Sequence, residues 1–212
     1  MSENLNHQYS KREEQLNVIS HGFGLFLSIV AFPFLVLKSL EFSGFWKPIS
    51  FFIYGLSMVI LYAASTFYHA AKHPKKRRKL NILDHAAIYV LIAGSYSPFC
   101  LVALDTDLGW YMFVFVWLFA LVGVILKLFF TGKFGKLSTA MYLLMGWQVM
   151  FFIKPLMASL SAQGFQYLVA GGVFYSVGAI LYSIKKIPYN HAIFHLFVLL
   201  GSLSHFLAIY NL

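Results

Sequence analysis

His191 and His195 are spaced four apart, so any helix that carries them presents both on one face. They would sit about 6 Å apart along the axis. Such a pair can chelate one metal ion through two imidazoles, as in H-E-x-x-H helices. Here Ala192, Ile193 and Phe194 lie between them, so a general base must come from another segment. His69 is the candidate third imidazole, with Ser65 one turn before it on the same helix face. Three imidazoles on a tetrahedral Zn²⁺ leave a fourth position open. A water there has its pKa lowered toward about 7 and becomes a nucleophile. Asp84 could hold that water as general base. Ser65 could bond the same water or the developing oxyanion, or orient His69. Asp84 also suits a helix N-cap, and the two roles are compatible. A purely structural histidine cluster is the competing reading of the three imidazoles.

The other histidines fit less well. His205 lies ten residues beyond His195, about 15 Å further along a helix, too far to share an ion. It reads as a buried, hydrogen-bonded side chain rather than a proton relay. His21 and His85 read as groups at helix ends, bonded to water or lipid headgroups. His85 is also turned about 100° from Asp84 around its helix.

The elements that must position these groups follow from composition. The chain has 212 residues, 60% of them hydrophobic and 11% charged, against roughly 25% charged in a soluble domain. So few charges exclude a soluble enzyme, a disordered chain and a nucleic-acid-binding domain. Apolar runs near 20 residues fall at about 18–38, 48–71, 84–104, 109–130, 137–157, 164–184 and 191–211. Lipid leaves only helices or closed barrels, and these runs lack strict alternation. The sequence therefore predicts an all-α integral membrane protein. It has a short polar N-terminus over 1–17 and one seven-helix transmembrane domain over 18–212.

Charge supplies an orientation. With the N-terminus in the cytoplasm, Lys and Arg at 11, 12, 72, 75–79, 127, 133, 136, 185 and 186 all fall inside, thirteen in number. Lys38, Lys47 and Lys154 fall outside, which is three. That is a strong positive-inside bias, with the C-terminus outside. The net charge of +9 is then a property of the loops, and the run Lys72–Lys79 reads as a loop that fixes topology. On this topology His21, His69, Asp84, His85, His191 and His195 share one membrane level, near the cytoplasmic face. Ionisable residues inside spans are functional candidates by default. The single cysteine, Cys100, permits no internal disulfide.

Several motifs carry a resemblance. Asn17–Gly24 reads N-V-I-S-H-G-F-G, and Ser65–His69 reads S-T-F-Y-H. Asp84-His85 leads to A-G-S-Y-S-P-F, and His191-x-x-x-His195 precedes His205. Jointly, over residues 14–210, these resemble the haemolysin III family, the bacterial branch of the progestin and adipoQ receptor superfamily. The resemblance implies a multi-pass protein of the bacterial plasma membrane with one zinc ion near the cytoplasmic side. His69, His191 and His195 would be its ligands, and Asp84 and Ser65 would hold or activate its water. It further implies a metal-dependent hydrolase of lipid amides or esters, with a membrane lipid as partner and a part in membrane lipid homeostasis. The alternatives are a receptor or sensor with a structural zinc, and a pore-forming haemolysin. The long N-terminal region of the animal receptors is missing here. The sequence carries no signal for an oligomeric state.

Overall fold

A computed structural model describes residues 9–131 and 135–212, with positions 135 and 136 as backbone alone. Helix α1 spans Lys11–Ser39, α2 Trp46–Ala70, α3 Pro74–Pro98 and α4 Asp107–Phe130. Helix α5 spans Gly135–Gly146, α6 Ile153–Ser159, α7 Ala162–Ser183 and α8 Asn190–Tyr210. A π-turn over Phe99–Leu104 extends α3, and a 3₁₀ turn over Trp147–Phe152 joins α5 to α6. Counted as spans, the described residues give seven helices long and apolar enough to cross a membrane. No described residue forms a strand.

Two helices begin earlier than their apolar runs. Helix α1 starts at Lys11, because the Ser10 hydroxyl accepts the Glu13 N–H at 3.2 Å and Glu13 and Glu14 occupy the positive first turn. The polar residues up to Asn17 thus form its first two turns rather than a separate tail; residues 1–8 lie outside the described residues. Helix α3 starts at Pro74, a residue that suits the first helical position because its missing N–H is not needed there. The basic run 75–79 is therefore the opening of α3 and not a loop. This also corrects the capping role considered for Asp84, which stands ten residues inside the helix.

The helices form a closed bundle. Helix α1 packs on α2 and α8, α2 on α3, α3 on α4 and α5, α5 on α7, and α7 on α8. Helix α3 is the central member: 72% of its apolar stretch is buried, against 22% for α1 and α4, whose remaining surface is for lipid. Apolar side chains such as Phe26, Phe34, Phe115 and Leu121 point outward, which in water would be an aggregation hazard and in a bilayer is the expected surface.

Phenols lock α2 against α7 and α8. The Tyr62 hydroxyl donates to Ser202 Oγ at 2.8 Å, Tyr175 shares that oxygen at 2.9 Å, and Tyr54 donates to the Ser202 carbonyl at 3.3 Å. These contacts fix the register of the helix that carries His69 against the one that carries His191 and His195. Gly24 allows α1 to approach both, because a Cβ there would come within 2.8 Å of Leu199 and collide with the Tyr62 ring. The broken fifth span is repaired by one residue of α3. Tyr96 donates to the Gly146 carbonyl at 2.6 Å and accepts the Val149 N–H at 2.9 Å, so the backbone freed by the 3₁₀ turn is satisfied inside the bundle.

Candidate metal centre

His69 occupies the last turn of α2, and His191 and His195 the first two turns of α8. All three side chains are buried. Their ring centroids lie 4.9 Å (69–191), 5.1 Å (69–195) and 4.5 Å (191–195) apart. One ring nitrogen of each lies within 4.8 Å of the others, so the three could hold one metal ion. Nε2 of His69 and Nε2 of His191 lie 3.1 Å apart. Two nitrogens on a tetrahedral ion with bonds of about 2.0–2.1 Å would sit about 3.4 Å apart.

The other ring edges are all occupied. His69 Nδ1 lies 2.6 Å from Glu14 Oε2. A carboxylate only accepts, so the proton sits on Nδ1 and the lone pair is left on Nε2. Asn17 also approaches His69 Nδ1 at 3.3 Å, and a protonated Nδ1 requires its amide oxygen to be the near atom. Ser20 donates its only proton to the Asn17 carbonyl at 3.1 Å, so its oxygen accepts Nδ1–H of His195 at 3.2 Å. This again leaves a lone pair on Nε2. Tyr9 bonds His191 Nδ1 at 3.0 Å and lies against its ring at 4.6 Å. Burial pushes the Tyr9 phenol far above its ordinary range, with Tyr182, Tyr68 and Asp84 adding to the effect. It therefore keeps its proton.

Metal-ligating histidines commonly have their outer ring nitrogen held in this way. Every one of these four partners comes from Tyr9 or the first three turns of α1. Sequence reading missed them because it set residues 1–17 apart as a tail. The signal that could have found them is Ser10-x-x-Glu13, a helix-start pattern that carries the polar residues into the bundle.

Ser65 lies one turn from His69, buried, and its hydroxyl has no hydrogen-bond partner among the described residues. Its neighbours in α2 behave otherwise: Ser57 donates to the Tyr54 carbonyl at 2.7 Å and Thr66 to the Tyr62 carbonyl at 2.7 Å. A buried hydroxyl left unpaired costs about 1–3 kcal/mol, so this one is suited to a ligand of the site. Asp84 is buried in α3 and stands outside the trio of ring nitrogens. Its Oδ2 lies 3.9 Å from Nδ1 of the adjacent His85.

The remaining histidines divide. His21 is not at an interface: it is buried and stacked on His195 at 3.4 Å between centroids, and neither ring nitrogen has a hydrogen-bond partner among the described residues. Its plane is nearly parallel to that of His195, so the two do not aim at one ion. His85 donates Nδ1–H to the Asn81 carbonyl at 2.9 Å, a local bond within its own helix. His205 is half-buried between the ring edges of Phe99 and Tyr175, and neither of its nitrogens meets a hydrogen-bond partner among the described residues.

A seven-helix membrane bundle with a buried three-histidine cluster at one end is the class of protein defined by this geometry. Comparison with known proteins narrows it. A model of the haemolysin-III-related family matches residues 9–206. The chain is 48% identical over 201 residues to the Hemolysin-3 homolog of Bacillus subtilis (strain 168), covering 95% of this chain and 94% of that protein. It is 46% identical over 198 residues to Hemolysin-3 of Bacillus cereus, covering 93% and 90%. It is 29% identical over 205 residues to the human Monocyte to macrophage differentiation factor, covering 94% and 84%. The chain belongs to the haemolysin III family and is a multi-pass bacterial membrane protein.

Proposed function

We propose that this protein is a zinc-dependent hydrolase of lipid amides or esters, with its centre at the cytoplasmic end of the bundle. The observation that carries the reading is the tying of all three Nδ1 atoms by Glu14, Tyr9 and Ser20 around three mutually close, buried imidazoles. Neutral imidazoles with a free lone pair are what a divalent ion requires. When bound, zinc supplies a Lewis acid with an open coordination position. His69, His191 and His195 would hold it. Asp84 would take the proton of the attacking water and return it to the leaving group. The unpaired Ser65 hydroxyl would donate to the oxygen that gains charge in the transition state. A base that works on a water need not ligate the ion, which agrees with Asp84 standing apart from the trio. The excess of basic residues assigned to that side by sequence, thirteen against three, supports a cytoplasmic position for that end, within reach of inner-leaflet lipid.

Elemental analysis of the purified protein tests the metal, with about one zinc expected per chain and none in His195→Ala. Turnover of a ceramide-like substrate tests the chemistry. Asp84→Ala should keep its zinc and lose at least 10²-fold in rate, the usual size of a general-base contribution. Full activity in that variant would remove Asp84 as the base, and no turnover by the zinc-loaded wild type would sink the hydrolase.

One observation favours a second reading, a receptor or sensor with a structural zinc. The histidines and their partners tie α1, α2 and α8 together at one end, and a metal there would act as a staple. In that case Asp84→Ala is silent and zinc removal loosens the bundle. A pore draws little support despite the name of the Bacillus cereus relative. Deeper in the bundle the buried serines 28, 57, 95 and 97 donate to carbonyls of their own helices, so those hydroxyls do not form a polar lining.

A further inference from the structure

We infer that Glu14 is the positioning residue of the centre: clamped by Arg77, its carboxylate holds His69 by Nδ1 and so sets how tightly the site retains a divalent ion. This rests on the metal reading above. The carboxylate of Glu14 reaches in two directions. Oε2 accepts Nδ1–H of His69 at 2.6 Å, and Oε1 pairs with the Arg77 guanidinium. Arg77 is itself fixed, donating to the carbonyls of Tyr68 at 3.3 Å and Ala71 at 3.4 Å, on either side of His69 at the end of α2. It also lies over the Tyr68 ring at 4.6 Å. The chain Arg77–Glu14–His69 therefore joins α3, α1 and α2 and ends on a ring whose other nitrogen faces His191.

Glu14 differs from the other outer contacts in chemistry. Asn17, Ser20 and Tyr9 are neutral, and their contacts with ring nitrogens are longer, at 3.3, 3.2 and 3.0 Å. An anion on the outer edge of an imidazole fixes the tautomer and makes the inner nitrogen a stronger donor. Only Glu14 among these partners supplies that charge. The His69 side chain is fully buried, so no solvent competes for the contact. The clamp by Arg77 keeps the carboxylate aimed at the ring rather than at water.

The test is metal affinity and the spectrum of a cobalt-substituted protein, measured on the full chain in detergent. Zinc dissociation constants by chelator competition should rise 10–100-fold in Glu14→Gln, which keeps the volume and loses the charge. Glu41→Gln, which removes a carboxylate paired with Lys38 at the far end of α1, should leave the affinity unchanged. The visible bands of bound Co²⁺ should shift in Glu14→Gln, and Glu14→Asp should recover part of the affinity. Unchanged zinc affinity and unchanged bands in folded Glu14→Gln overturn the inference, since a residue that merely pins α1 would lower the melting temperature without moving either. Should Glu14→Gln fail to fold, Arg77→Gln is the second variant: a several-fold loss of affinity is expected, and none overturns the clamp. A wild-type protein that binds neither zinc nor cobalt removes the metal reading itself, and this proposal with it.

Discussion

An imidazole has two nitrogens, and what one bonds decides what the other can do. In this site the outer nitrogens face Glu14, Tyr9 and Ser20, and at His69 and His195 the partners dictate that the proton lies outward. The inner nitrogens are then lone pairs crowded together, and lone pairs at 3.1 Å repel unless a proton or a cation sits between them. Burial alone would not separate a metal site from a packed core, because the ring nitrogens of His205 are also buried, beside the ring edges of Phe99 and Tyr175, yet among the described residues it joins no group that could hold an ion. His205→Ala should therefore keep the full zinc content of the wild type, whereas His191→Ala should lose it. Metal content per chain, measured on both variants after the same purification, checks the pair. Loss of zinc from both would mean that the histidines act through stability and not as ligands.

Among the elements, the broken fifth span shows how lipid disciplines a backbone. A 3₁₀ turn in mid-membrane frees carbonyls and N–H groups that no water can reach. Tyr96 meets them from α3 with a single oxygen that donates to Gly146 and accepts from Val149. Tyr96→Phe removes both bonds and leaves buried groups unpaired, so it should cost about 1–3 kcal/mol of stability. A lowered melting temperature in detergent, with zinc content unchanged, is the expected result. No change in melting would show that water or lipid headgroups already serve that turn. Helix α1 makes a complementary point. Its cap at Ser10 moves the helix start seven residues ahead of its apolar run, and those added turns carry Glu14 and Asn17 to the histidines.

For the whole molecule, the basic residues of the α2–α3 junction and the polar end of α1 lie on one side, and the ion pair of Lys47 with Asp105 at 2.6 Å lies on the other. The positive-inside bias predicts that the histidine side faces the cytoplasm. The native Cys100 is buried, so single cysteines can report topology. Ser43→Cys should react with a membrane-impermeant maleimide in intact cells, and Lys76→Cys should react only after lysis. The opposite pattern would invert the protein and move the centre to the outer leaflet. The seven spans, their helical nature and the three candidate imidazoles are legible in the order of residues alone. Apolar length answers to bilayer thickness, and four-residue spacing answers to the helical turn, so each is written locally along the chain. What surrounds those imidazoles becomes visible only in the packed bundle. Tyr9 meets His191 across 182 positions, Ser20 meets His195 across 175, and His21 lies flat on His195. Contacts between distant segments follow from how α1 packs on α2 and α8, and no periodicity in the chain records that packing.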